Sequence, residues 1–242
     1  MRWTDHVFRY CERGFDPGLW AEPVNALSNV AFLGVAVLAA ARMARPLPQD
    51  AVASDRLTTR LIHPLIALVA LIGVGSFLFH VAATRWAQLA DVLPIGAFIQ
   101  LYLIFALRCM AGLSVLKVML GLAALIAAFA ASMAFCPSAM SGGPGRPACL
   151  NDTLGYAPAL AALFAVAVLL RRRSHPAAGR LLLAAAVLLL SMVMRTIDLD
   201  QCSVLSLEDR PLGSHFLWHL LNALVLHLLL TAAVDEARRS AR

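Results

Sequence analysis

Two histidines four residues apart, His215 and His219 in "GSHFLWHLLNAL", project from one face of a helix about one turn apart. Such a pair can grip a single metal ion. A third, His80, ends the apolar run "GSFLFH", with Ser76 one helical turn before it and Asp91 at the start of the next apolar run. Three neutral imidazoles with one open position are the ligand set of a catalytic zinc site, where bound water ionises near a pKa of about 7. A carboxylate such as Asp91 can orient that water and take its proton. Ser76 can donate a hydrogen bond to a carbonyl oxygen as it gains negative charge. The expectation is therefore Zn2+ on His80, His215 and His219, with Ser76 and Asp91 as catalytic residues. Taken singly, each has a plainer role: a histidine packs against a backbone carbonyl, and an aspartate caps a helix. Ionisable groups in or near apolar spans are costly and are usually kept for function, so the set outweighs its members.

The elements that must position these residues follow from composition. The chain has 242 residues, 61% hydrophobic and 14% charged, with a mean hydropathy of +0.78. A soluble domain cannot hide that much apolar surface, so the fold class expected is an all-α membrane protein. Apolar runs near the roughly 20 residues that cross a bilayer occur seven times, over 24–42, 61–82, 88–108, 113–135, 155–170, 179–197 and 214–234. Residues 1–23 form an extramembrane segment, and 1–242 reads as one integral-membrane unit. On this division His80, Asp91, His215 and His219 all reach one face of the membrane.

Charge sets the orientation. Of the 20 Lys and Arg, 13 fall on the side of the first, third and fifth loops and the C-terminus, and 7 on the other. The second group includes Arg13, Arg146 and Arg195; the first includes Arg42, Arg180 and Arg242. The N-terminus is expected outside and the C-terminus in the cytoplasm, with the site toward the outer side of the cell membrane. The net charge of +6 reads as this topology and not as a nucleic-acid footprint. Cys11, Cys136, Cys149 and Cys202 fall on the outer side, where disulfides persist. Four cysteines allow three pairings; the short loop "CPSAMSGGPGRPAC" favours Cys136–Cys149, which leaves Cys11–Cys202.

Ser-x-x-x-His in "SFLFH", Asp in "ADVLP" and His-x-x-x-His in "HFLWH" together resemble the membrane hydrolase superfamily of alkaline ceramidases and adiponectin-type receptors. The stretch "CERGFDPGLWAEPVNALSN" resembles the alkaline ceramidase branch in particular. The resemblance runs over essentially the whole chain. It implies zinc on the three histidines, Ser76 and Asp91 beside it, and hydrolysis of the ceramide amide to a sphingoid base and a fatty acid. It also implies a disulfide between Cys11 and Cys202, and Ca2+ on acidic residues of the N-terminal segment, here Glu12 and Glu22. The family's Asp-Trp-Cys-Glu run reads Arg9, Tyr10, Cys11, Glu12 in this chain, so a cation stands where the leading carboxylate is required. The calcium expectation is correspondingly weaker than the zinc one.

Several further expectations complete the reading. Glu22, Asn25 and Asn29 share a face of the first helix and should bond across the bundle. His227 lies two turns below His219 and could line a substrate tunnel. Asp198 and Asp200 are expected in solvent. The competing functions are a seven-helix receptor with a structural zinc, and a lipid ester hydrolase on the same metal. A transporter fits less well, since its polar residues belong at the midplane and these lie near one surface.

Overall fold

The structure is a computed structural model that describes residues 2–45, 56–136, 149–207 and 210–239. Arg146 and Arg242, both counted in the charge bias, lie outside the described residues. Among the described residues, seven helices are long and apolar enough to cross a membrane. The first crossing is made by α1 (Pro23–Ser28) and α2 (Val30–Met43), followed by α3 (Arg56–Ala82), α4 (Arg85–Phe105), α5 (Val115–Phe135), α6 (Ala157–Arg172), α7 (Ala178–Thr196) and α8 (His215–Arg239). A π-helical turn, Ala106–Met110, extends α4, and a 3-10 turn, Thr153–Tyr156, leads into α6. The connection from α7 to α8 holds a 3-10 turn, Asp198–Gln201, and a two-stranded ribbon of β1 (Ser206–Leu207) and β2 (Arg210–Pro211).

The expected spans agree with these helices to within a few residues, except where polar residues extend a helix beyond its apolar run. The third span starts at Arg85 and not at residue 88, and the last continues to Arg239 through "DEARR". The first of these shifts changes a role. Thr84 is the residue before α4, so Asp91 stands almost two turns inside the helix and does not cap it.

A close approach of α3 and α4 fixes the register of the site. Pro94 has no N–H to offer the carbonyl of Ala90, four residues back. That carbonyl faces Gly75, where any Cβ would run into it. Only glycine permits this contact, and it sets Ser76 of α3 beside Asp91 of α4.

The N-terminal segment closes the end of the bundle from which α4, α6 and α8 start. His6 pairs with Thr84 in an isolated β-bridge, and the Val7 N–H donates to the Ala83 carbonyl at 2.7 Å. Arg9 forms an ion pair with Asp152, in the connection before α6. Cys11 is paired with Cys202, with Cα atoms 5.4 Å apart, and Cys136 with Cys149 at 5.9 Å. The segment thereby touches all three loops at its end of the bundle.

Candidate active site

His80 lies in the last turn of α3, while His215 and His219 lie in the first two turns of α8. All three are at most 2% exposed. One potential ligand nitrogen from each falls within 4.8 Å of the others. Among the described residues, no other histidine, cysteine or carboxylate group gathers three such atoms so closely.

The hydrogen bonds around the rings assign their tautomers. His80 Nδ1 is 2.6 Å from Glu22 Oε2 and donates to it, which leaves the His80 Nε2 lone pair free. Ser28 Oγ donates its only proton to the Asn25 carbonyl at 2.7 Å. It must therefore accept from His219 Nδ1, also at 2.7 Å, which frees the lone pair of His219 Nε2. The two freed nitrogens face each other at 3.1 Å. His215 Nδ1 is buried with no hydrogen-bond partner. Two ring nitrogens this close in a buried place, beside a third imidazole whose Nδ1 has no partner, fit a shared cation. A carboxylate or hydroxyl behind a ligating imidazole is the usual outer support of a zinc site.

Glu22 and Asp198 anchor the site from outside the spans. Glu22 also accepts from Arg13 Nε at 2.6 Å and Asn25 Nδ2 at 3.1 Å. Burial alone would push its carboxyl up, but His80 and Arg13 outweigh this and hold it below the ordinary range. Asp198 was expected in solvent; it is fully buried instead. It accepts from the backbone N–H groups of Cys11 at 3.0 Å and of Ser214 and His215 at 2.8 Å each. These last two bonds satisfy two of the N–H groups at the start of α8. Burial raises the Asp198 carboxyl, with the three N–H donors acting against it. Gly213, at φ +66°, turns the chain into α8, and a side chain there would collide with Asp198 and Cys11.

Calcium does not fit the residues proposed for it. Glu12 Oε1 and Oε2 accept from the backbone N–H groups of Val24 and Asn25, both at 2.8 Å, and so cap α1. Burial raises the Glu12 carboxyl despite these bonds. Both oxygens of Glu22 are taken by His80, Arg13 and Asn25. Each of the four carboxylate oxygens is thus already engaged by an N–H donor.

Below the histidines a cavity runs into the bundle. Its polar end carries Ser76, Asp91, His215 and His219. Asp91 is partly exposed because it faces this space, and it hydrogen-bonds Ser76. Apart from Arg195 and Asn222, the rest is lined by aliphatic and aromatic groups as far as Leu229. Leu229 is fourteen positions along α8 from His215, about 21 Å at the helical rise. His227 is not among the lining residues.

Two cavity residues escaped the sequence reading. Tyr10 stacks on His215 with ring centroids 3.6 Å apart, and burial pushes its phenol up to about 12. It therefore stays protonated at neutral pH. Arg195, counted above only as a loop charge, is buried in the last turn of α7. Its guanidinium lies over the rings of Trp218, Tyr156 and Tyr10 at 5.1, 5.4 and 5.6 Å. A cation inside a predicted span was the signal that could have drawn notice to it. Ser28, one turn beyond Asn25 on the first helix, had no such signal.

No curated protein sequence matches the chain. A family model described as Ceramidase matches residues 7–236, and the chain belongs to that family.

Proposed function

Starting from membership of the ceramidase family, we propose that this chain is a zinc-dependent membrane hydrolase. It would cleave the amide of ceramide, or of a related N-acyl lipid, to a fatty acid and a sphingoid base or other amine. The observation that carries the reading is the convergence of three buried imidazoles, two of them on the wall at the polar end of a long, mostly apolar cavity. A lipid entering from the bilayer could lay an acyl chain along the wall toward Leu229 and bring its amide to Ser76 and Asp91.

His80, His215 and His219 would hold the zinc, which when bound supplies a Lewis acid and an acidified water. The roles of the chain's own groups follow from their placement. The Asp91 carboxylate accepts the proton released as water attacks the amide carbon, and returns it to the leaving nitrogen. The Ser76 hydroxyl, placed beside Asp91 by Gly75, donates to the carbonyl oxygen as charge builds there. Glu22 and Ser28 keep His80 and His219 in the ligating tautomer. The apolar wall excludes bulk water from the rest of the cavity.

The arginine bias and the cysteine positions support a cell-membrane protein with its N-terminus and active site toward the outer side. The test is mass spectrometry of fatty acid and amine released from ceramides and a total lipid extract, beside a His215→Ala control. A sphingoid base released by wild type alone supports the amidase. Fatty acid released from an ester lipid instead would move the reaction to ester hydrolysis. No difference from the control would overturn the reading in favour of a receptor.

A further inference from the structure

Five oxygen atoms converge on the guanidinium of Arg13. Nε donates to Glu22 Oε1 at 2.6 Å. Nη1 donates to the carbonyls of Asp16 at 3.0 Å and Gly18 at 2.8 Å. Nη2 donates to the carbonyls of His80 at 2.7 Å and Val81 at 3.2 Å. A guanidinium carries five N–H donors in one plane, so every one is used. The side chain is 0% exposed, and its partner Glu22 is 3% exposed.

One carboxylate and four carbonyls are the hard oxygen donors that calcium takes, and here a covalently held cation occupies them. The His80 and Val81 carbonyls belong to the last turn of α3, whose terminal carbonyls have no helical partner. A cation at that end is favoured by the helix dipole as well. Arg13 therefore grips His80 twice, directly at its backbone carbonyl and through Glu22 at its ring. A lysine could supply the charge but not the planar fork that reaches all five oxygens.

We propose that Arg13 is a tethered cation standing in place of a calcium ion, and a positioning residue for His80. The N-terminal segment consequently needs no divalent cation to hold its fold. The positioning half rests on the zinc reading above; the calcium half does not.

The test uses the full chain purified in detergent. Melting temperature is read in EGTA and in millimolar CaCl2, and Co2+ binding is followed by its visible absorption in place of zinc. Wild type should melt at the same temperature in both media. Arg13→Met should bind Co2+ about 10–100-fold more weakly, with Arg13→Lys recovering only part of the loss. A rise in the wild-type melting temperature with CaCl2, reversed by EGTA, would overturn the tethered-cation claim, and this arm needs no variant to fold. Wild-type Co2+ affinity in a folded Arg13→Met or Arg13→Lys protein would overturn the positioning role. If wild type itself bound no Co2+, the zinc reading would fail, while the calcium arm would still decide the first half.

Discussion

The two ends of the bundle use the same charged residue types to different ends. At the end closed by the N-terminal segment, Arg13, Glu22 and His80 form a chain of contacts whose side chains are 0–3% exposed. At the opposite end, Asp235 on α8 bridges Arg42 of α2 at 2.9 Å and Arg180 of α7 at 2.8 Å. Those side chains are 34–41% exposed. In water an ion pair loses hydration for little gain, and contributes at most about 1 kcal/mol. In the interior, removing one partner strands the other, at a cost of about 3–5 kcal/mol. Geometry alone does not separate the ends, since the distances are alike. Burial does, and so does what lies behind the pair: an imidazole at one end, open solvent at the other.

The largest effect should come from the imidazoles. His80→Ala, His215→Ala or His219→Ala is expected to abolish lipid hydrolysis and zinc binding together, read as product release beside elemental analysis. Asp91→Asn should keep much of the zinc but slow turnover by about 10²–10⁴-fold, which separates the proton acceptor from the ligands. Glu22→Gln keeps the shape but loses the charge behind His80, and zinc affinity should fall by about 10–100-fold in a metal-competition titration. Gly75→Ala pushes α4 away from α3; the overpacking should lower stability by about 1–3 kcal/mol in thermal melts and reduce turnover as Ser76 leaves Asp91. Asp235→Asn, at the far end, should change stability by no more than about 1 kcal/mol and leave hydrolysis untouched. A far-end variant as damaging as Glu22→Gln would erase the distinction between the ends.

The sequence carried the bundle well, because seven apolar runs leave few alternative ways to bury such a composition. It also carried the histidines, whose spacing and depth survive any small error in helix limits. Asp91 lines the cavity but lies inside its helix and not at the start, since "RWAQLA" continues the helix despite its polar residues. What was not legible was contact between distant segments. Nothing in "TIDLD" says that Asp198 will meet Cys11 and the start of α8, and nothing in "CERG" says that Arg13 will meet the end of α3. Such bonds depend on the N-terminal segment folding back over the bundle, a tertiary event with no periodic trace. Glu22 stood between the two cases: its face with Asn25 and Asn29 was readable, and its bond to His80 was not.

The most direct test of the central claim is the zinc content of the purified chain after reconstitution with ZnCl2. It would be measured by elemental mass spectrometry beside a variant with all three histidines replaced by alanine. One zinc per wild-type chain and none in the variant is the predicted result. A wild type that holds no zinc, or a triple variant that retains both zinc and full lipid hydrolysis, would contradict it.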